Sequence, residues 1–351
     1  MKVLFIGSCF DKAGGGYVIA KRNLKVLCNV FGKDNVSEYL IAKSSLSIGN
    51  IVNRIRYNYV GGLTKDIVDA VLRRIDNFDM LWIDGSCFGA LAKVLKDNGY
   101  KGHVVCFFHN IERNFTKVAL RDLPFYPIKY RPIYEAENDA IFYSDTIVTL
   151  TERDAAFVRN KNPKASIVLL PSSLPDTYED GDSVEKSSKI LTLLFVGSYF
   201  YANVHGIEWF VNKVLPFVDT KLVIVGAGME KLSFSPSPKL EIHGFVEDLG
   251  YYYRNCDVVV APIFEGSGMK TKTAEALMWG KFVIGTNEAF CGFDICEECG
   301  IACCSAEDFV MQINSLIKHP KAKFIPASRS LFMNKYSLEC SENIIKSFVK
   351  F

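Results

Sequence analysis

Twice along these 351 residues the sequence alternates short apolar runs with helix-length amphipathic segments, and that alternation admits few folds. Runs at 2–7 (KVLFIG), 36–41 (VSEYLI), 79–84 (DMLWID), 103–108 (HVVCFF), 146–150 (TIVTL) and 166–170 (SIVLL) read as the strands of a first unit. A second set reads at 190–196, 221–225, 239–243, 256–261, 281–285 and 300–304. Helix patterns lie between them; in 17–31, Ala20, Leu24, Leu27, Cys28 and Phe31 share one face. Near-continuous apolar strands are buried on both faces, as in parallel sheets covered by helices. Between the two sets lies PSSLPDTYEDGDSVEKSSK, polar and with two prolines, which reads as an interdomain linker. The expected class is therefore α/β, with two Rossmann-like parallel-sheet domains. Such sheets bind ligands beyond the carboxyl ends of their strands, so two of them facing each other would form a deep cleft.

Composition narrows the partners. Hydrophobic residues make up 49% of the chain and charged residues 23%, which supports large cores. A formal net charge of +2 excludes a generic polyanion binder, so no nucleic-acid partner is expected. MKVLFIGSCF runs straight into DKAGGG without the basic start and cleavage site of an export leader. The longest apolar run, ILTLLFVG at 190–197, falls short of the roughly 20 residues of a membrane span. Eleven cysteines without a regular framework read as free thiols in a reducing compartment, and a cytoplasmic location is expected.

Chemistry concentrates in residues 262–286, PIFEGSGMKTKTAEALMWGKFVIGT. An apolar run ends on Glu265; Gly266, Ser267, Gly268 and Met269 form a loop; a helix begins near Lys270 or Thr271 and stops at Gly280. Free N–H groups at a helix start attract phosphate, and small loop residues let it approach the backbone. Lys270 and Lys272 add positive charge. Glu275, about one turn into the helix, is placed to accept from ribose hydroxyls, as an acid does in dinucleotide sites. Glu265 is placed to hold the hydroxyls of a second sugar. Two polyols joined by a diphosphate make a nucleotide sugar. Taken singly, Glu265 reads as a solvated loop acid and Glu275 as an exposed helix residue; their combination at one strand–loop–helix junction favours the ligand.

The same segment resembles the donor-site signature of the retaining glycosyltransferases of family 4, which have the GT-B fold. Those enzymes typically carry Glu, seven residues, then Glu. Here nine residues separate Glu265 from Glu275, and GSGMKTKTAEALMWGK resembles a branch reading Gly-x-Gly-x-(basic)-x-Lys-x-x-Glu-Ala. The resemblance covers nearly the whole chain and is strongest at 242–286 and 103–114. It implies a GT-B architecture with an acceptor-side domain at 1–172, the linker at 173–189 and a nucleotide-sugar donor domain at 190–330. A terminal helix at 331–351 would pack back on the first domain.

Other segments fit this resemblance. LLFVGSYFYANVHGIEWFVNKVLPFV (193–218) looks like the first strand, loop and helix of the donor domain. Many family members hold the diphosphate there with an Arg and a Lys; Ser198, Tyr199 and Asn203 stand instead, and the resemblance leaves that role to Lys270 and Lys272. LVIVGAG (222–228) looks like a dinucleotide glycine turn but lacks its third glycine and its acid. In IHGFVEDLGYYYRNCDVVVAPI, Gly244, Phe245 and Val246 match the turn against which a nucleotide base packs, or else a plain strand end.

In the first half, GSCFDKAGGGYVIAKRN reads as strand, glycine loop and helix, with Gly14, Gly15 and Gly16 permitting close approach. The resemblance sets this loop beside the donor diphosphate. In CFFHNIERN, His109 stands at a strand end, where a histidine is often a hydrogen-bonded core residue. The His-Asn-x-Glu match implies that His109 touches the donor sugar, that Asn110 and Glu112 shape the loop, and that Glu112 also has the acceptor within range. Thr151 with Asp154 reads as a helix cap. Residues 113–134 mix Arg113, Lys117, Arg121, Lys129 and Arg131 with aromatics. That surface suits anionic headgroups or a polyprenyl-linked acceptor at the inner face of a membrane, or is simply a solvated basic helix.

CGFDICEECGIACC places cysteines at 291, 296, 299, 303 and 304, a spacing that tempts an iron–sulfur or zinc reading. The last two lie in an apolar strand-like run, and the resembled family has no metal there. The Asp-x-Asp in EDGD lies in the linker. No metal and no cofactor are expected beyond the nucleotide sugar as co-substrate. The expected function is transfer of a hexose or N-acetylhexosamine from a nucleoside diphosphate sugar to a glycan or lipid-linked acceptor, in bacterial surface polysaccharide synthesis. Glu265 and His109 are the expected catalytic residues, positioning the sugar without an evident nucleophile, as in the front-face mechanism of the family. A non-catalytic glycan-binding subunit, a nucleotide-sugar epimerase and a nicotinamide oxidoreductase stand as other readings.

Overall fold

The computed structural model describes residues 1–9, 15–42, 48–120, 126–180, 190–266 and 268–349. Twelve strands form among them: β1 Val3–Ser8, β2 Val36–Ile41, β3 Met80–Asp84, β4 His103–Phe108, β5 Thr146–Thr149, β6 Ile167–Leu169, β7 Leu191–Val196, β8 Thr220–Val225, β9 Leu240–His243, β10 Val258–Ala261, β11 Phe282–Gly285 and β12 Gly300–Ala302. Each coincides with a run expected from the sequence. They assemble into two six-stranded sheets, β2-β1-β3-β4-β5-β6 and β12-β11-β10-β7-β8-β9. All pairings are parallel. The α/β class follows from strands such as Leu81, Trp82 and Ile83 or Val259, Val260 and Ala261, all fully buried, which no one-sided sheet could accommodate.

Contacts divide the chain into two compact units, Met1–Pro171 with Ser341–Phe351, and Ser172–Cys340. The first unit is therefore discontinuous. The helix Leu338–Phe348 brings the chain back to it: Arg22 donates to Ser341 Oγ (3.0 Å) and Asn29 to Glu342 Oε1 (2.7 Å). In the second unit, Ser172–Asp180 does not run free, although its composition reads as linker. Ser172 and Ser173 are fully buried, Arg329 forks onto Asp176, and Tyr178 packs on Trp279 and Phe324. The linker residues 181–189 lie outside the described set.

Strand ends fall within a residue of the sequence expectation except at two places, each for a local reason. Cys256 closes the helix Leu249–Asn255, and Asp257 is held against Thr192, so β10 starts at Val258. β12 stops at Ala302 because Cys304 and Ser305 give their N–H groups to Asp308, which caps the helix Ala306–Lys318.

Each sheet has one topological switch, between β1 and β3 in the first unit and between β7 and β10 in the second. Loops diverge at such a point and leave a crevice beyond the strand ends. At the second, the helix Tyr201–Lys213 approaches the end of β10 so closely that a Cβ on Gly206 would lie 1.9 Å from the Pro262 carbonyl oxygen. Alanine would gain about 1 kcal/mol of helix propensity, but a backbone carbonyl cannot swing away as a side chain can. Gly206→Ala is expected to lose about 2–3 kcal/mol net in urea unfolding, the overpacking cost prevailing.

Candidate active site

In the second unit the loops that follow β7, β8, β9 and β10 carry the polar groups. The first three loops touch. Gly226 donates to the carbonyls of His243 and Gly244, and at its φ of 150° a Cβ would stand 2.0 Å from the Gly197 carbonyl oxygen. Only glycine suits that place. Next to it Gly244, whose Cβ would meet the Glu230 carboxylate at 2.5 Å, leads into Phe245, which is 77% exposed, and half-buried Val246. An aromatic face held in solvent beside a glycine turn offers a stacking surface for a planar ring.

The loop after β10 holds Glu265, Gly266, Gly268, Met269 and Lys270; Ser267 lies outside the described residues. Gly266 (φ 121°) and Gly268 (φ 67°) occupy backbone regions that side chains disfavour. Met269 is buried and accepts a hydrogen bond from the Ser172 N–H (3.0 Å). The helix Thr271–Met278 follows with no side-chain cap at its start, so its first N–H groups lack the acceptor that a Ser or Asp cap would supply.

The two lysines differ. Lys270 is already paired, donating to Glu288 Oε1 (2.8 Å) and to the Gly268 carbonyl (2.9 Å). Lys272 is buried; it donates to the neutral amide oxygen of Asn203 and lies 4.6 Å from the Phe195 ring centroid. Burial lowers its pKa to about 7, partly countered by Glu275 and reinforced by Lys270. Asn203 also donates to the Ser198 carbonyl (2.9 Å), tying the β7 loop to the β10 helix. Of the two, Lys272 is the ammonium without a hydrogen-bonded carboxylate, and so the one suited to an incoming anion.

Glu275, one turn further on, is half-buried and accepts from the Tyr253 hydroxyl (3.1 Å). Burial raises its pKa, against the opposing effects of Tyr253 and Lys272. Tyr253 is fully buried and stacks on Trp279 at 6.0 Å. The exposed-helix reading of Glu275 therefore does not hold. Glu265 is half-exposed and lies 3.4 Å from His205 Nδ1.

In the first unit, Gly15 and Gly16 begin the helix Gly15–Phe31, and a Cβ on Gly16 would meet nothing within 4 Å; Gly14 lies outside the described residues. His109, just beyond β4, gives Nε2 to Asp84 Oδ2 at 2.9 Å, at the end of β3. Asp84 is buried and takes two more hydrogen bonds on Oδ1, from Asn23 (2.6 Å) and Trp82 Nε1 (3.1 Å). Burial alone would raise its pKa, but His109 and these donors outweigh it and hold the carboxyl below its ordinary value. With Nε2 committed to Asp84, Nδ1 is left facing inward without a hydrogen-bond partner, as is Asn110 Oδ1. Glu112, opening the helix Glu112–Leu120, has its pKa raised to about 7, chiefly by burial, with His109 opposing and Glu137 adding to the rise. The switch-point edge of this unit thus presents a carboxylate-anchored imidazole beside a carboxyl group that titrates near neutrality.

Sequence reasoning did not find Asp84, Asn23, Tyr253 or Glu288. It set Arg113 on a basic surface, lipid-facing or solvated; Arg113 is instead buried, paired with Glu137 and Asn138 and stacked 3.9 Å from the Tyr134 ring centroid, because the Glu137 carboxylate beneath it needs a counterion. Lys117 and Arg131 are exposed, while Arg121 lies outside the described residues and nothing is described of the Lys129 side chain. The cysteines divide: Cys299 and Cys303 point inward, Cys296 and Cys304 outward, and the Cys296 and Cys299 sulfurs lie 3.0 Å apart. Among the described residues no group of three or more His, Cys, Asp or Glu side chains is placed to hold a metal ion.

Comparison with known proteins bears on the fold. The sequence profile of the family described as "Glycosyl transferases group 1" matches residues 191–319, which include Asn203, Phe245, Glu265, Lys270, Lys272 and Glu275. Over the whole chain, the structure is similar to Anabaena HepE in complex with UDP-glucose (TM-score 0.66, 11% identity, 99% of each chain covered). The apo lipopolysaccharide outer core galactosyltransferase WaaB superposes with TM-score 0.69 at 13% identity, over 99% of this chain and 100% of that one. The fold is GT-B. The catalytic domain of Arabidopsis thaliana starch synthase IV bound to ADP and acarbose also shares it (TM-score 0.64, 10% identity, 99% and 98% covered). A search of curated protein sequences finds no match.

Proposed function

We propose that this GT-B protein is a retaining glycosyltransferase of the family 4 type. It would move a hexose or N-acetylhexosamine from a nucleoside diphosphate sugar to a hydroxyl of a glycan or lipid-linked acceptor, in the building of a bacterial surface polysaccharide. The observation that carries the reading is Lys272: a buried ammonium bonded to a neutral amide rather than a carboxylate, on a helix with an uncapped start, after a loop with two left-handed glycines. That arrangement suits a diphosphate whose charge grows as the sugar leaves. Glu275 would take the ribose hydroxyls and Phe245 the base. Glu265 and His109 would position the sugar. The match of a glycosyltransferase profile to this unit and the nucleotide-sugar complex of a structural neighbour support the reading. The proposed reaction calls on no metal, since lysine and helix N–H groups meet the diphosphate charge.

Thermal shift against UDP-, GDP-, ADP- and dTDP-sugars tests it. One nucleotide class, at about a hundred times its Kd, should add about 2.7 kcal/mol of stability to the wild type and none to Glu275→Ala. No shift with any class would sink the donor site.

The low pKa of Lys272 adds a signature. An anionic diphosphate favours the protonated lysine, so binding raises its pKa. Affinity is then full below pH 7 and weakens as the free protein loses that proton, approaching about tenfold per unit between pH 7 and the bound-state pKa. Calorimetric titration of a nucleotide sugar should show this fall, and Lys272→Arg, charged throughout, should flatten it.

A further inference from the structure

The turn that leads into β12 holds two sulfurs in contact. In the stretch DICEECG, the Cys296 carbonyl accepts from the Cys299 N–H (2.9 Å) and the Gly300 N–H (3.1 Å). A bond from the fourth residue back to the first closes a turn whose end Cα atoms lie within about 7 Å. A disulfide spans about 4.4–6.8 Å between Cα atoms. The Cys296 and Cys299 sulfurs stand 3.0 Å apart, so roughly 1 Å of further approach brings them to the bonded distance of about 2.0 Å. The turn is tied at both sides: Asp294 gives its N–H to the Tyr336 hydroxyl (2.8 Å), and the Cys299 carbonyl accepts from Val283 in β11 (3.0 Å). The two thiols differ in setting. Cys296 is exposed and Cys299 is fully buried. A hydrogen bond from Cys299 holds the Cys296 thiol below its ordinary pKa, against burial and the Glu298 charge. Burial, then Cys296 itself, push Cys299 up to about 11.

We propose that Cys296 and Cys299 form a reversible redox site that reacts with small-molecule disulfides, Cys296 attacking and Cys299 resolving. The exposed sulfur is the one a reagent can reach, and the buried sulfur touches it from behind. In the first step the Cys296 thiolate attacks one sulfur of the reagent; a mixed disulfide forms, the reagent's own S–S bond breaks, and the thiolate released takes up the proton that Cys296 lost. In the second, Cys299 gives up its proton and attacks the Cys296 sulfur, and the second reagent thiolate leaves with that proton. Two protein thiols are oxidised to a disulfide while one reagent disulfide is reduced to two thiols. Metal binding is the rival use of such a pair. A closed zinc site takes four ligands, and among the described residues no third His, Cys, Asp or Glu joins these two. A structural staple is the other rival, but a bond that closes a four-residue turn restricts the unfolded chain less than one closing a long loop. The inference is independent of the donor-site reading, because its test uses no sugar nucleotide.

The test treats the reduced full chain, under native conditions, with glutathione disulfide, traps the remaining thiols by alkylation and maps them by peptide mass spectrometry. The wild type should yield a peptide in which Cys296 and Cys299 are joined, short of two hydrogens and free of glutathione, and excess glutathione should return both thiols. Cys299→Ser should stop at the mixed disulfide, with glutathione held on Cys296. Cys296→Ser, a change at an exposed position, should slow oxidation of Cys299 at least about tenfold with an unchanged melting curve. That second variant and the wild type carry the test even if Cys299→Ser does not fold. Both thiols still alkylated in the wild type, glutathione left on wild-type Cys296, or Cys299 reacting equally fast without Cys296 would each overturn the proposal. So would a disulfide from Cys296 to a different cysteine, or one that excess glutathione does not reduce, since the bond would then be a staple.

Discussion

Lys272→Met is expected to lower kcat/KM for the nucleotide sugar by about a thousandfold while the melting temperature stays within a few degrees of the wild type. The two halves of that result have separate causes. Losing a preorganised charge aimed at a leaving diphosphate costs about 3–4 kcal/mol of transition-state stabilisation. The fold, by contrast, gives up an ammonium whose burial already lowers its pKa to about 7, and gains a thioether of similar length against the Phe195 ring. Only Asn203 Oδ1 loses its donor, at about 1 kcal/mol. Steady-state kinetics with a melting curve on the same preparation separates the effects. Undiminished turnover in a folded variant would remove Lys272 from the diphosphate.

Asp84→Ala should act through stability. It leaves three donors, Asn23 Nδ2, Trp82 Nε1 and His109 Nε2, without their buried acceptor. Such a loss costs about 3–5 kcal/mol, to be read from urea unfolding at pH 7. The pH dependence has a fixed sign. The folded-state pKa of Asp84 is depressed, so its stabilisation is complete above the unfolded value of about 4 and disappears as pH falls through the folded value. The gap between variant and wild type should therefore be flat from neutrality to about pH 4 and narrow below it. Asp84→Asn, which keeps the size but not the charge, should fall between.

All twelve strands were legible because each is a short apolar run, and burial on both faces leaves no alternation to blur. The Lys272–Glu275 helix was legible because its glycines, cations and acids are neighbours in sequence. Asp84 was not. It ends DMLWID as an acid ends many strands, and its meaning lies in His109, 25 residues later, which only the pairing of β3 with β4 brings alongside. Listing the polar residues that close the strands on either side of the sheet switch would have picked out Ser8 and Asp84. Glu288 was hidden in a turn sequence, TNEAF, where an acid is unremarked, and Tyr253 in a tyrosine run of which it alone is fully buried. Composition misplaced Ser172–Asp180 because polar residues were read as solvated, although Ser172 and Ser173 lie inside and Asp176 is paired.

The discontinuity of the first unit bears on the order in which the protein is made. Arg22 and Asn29 emerge from the ribosome early, yet Ser341 and Glu342 follow only after the whole second unit. At about 5–20 residues per second, the intervening unit takes on the order of ten seconds or more to pass. Throughout that interval the early helix waits with a guanidinium to bury and no hydroxyl to receive it. The continuous second unit has all its own residues before the first does. Synthesis therefore supplies the later half with all of its residues first, and the earlier half is the one left incomplete until the segment from Ser341 follows.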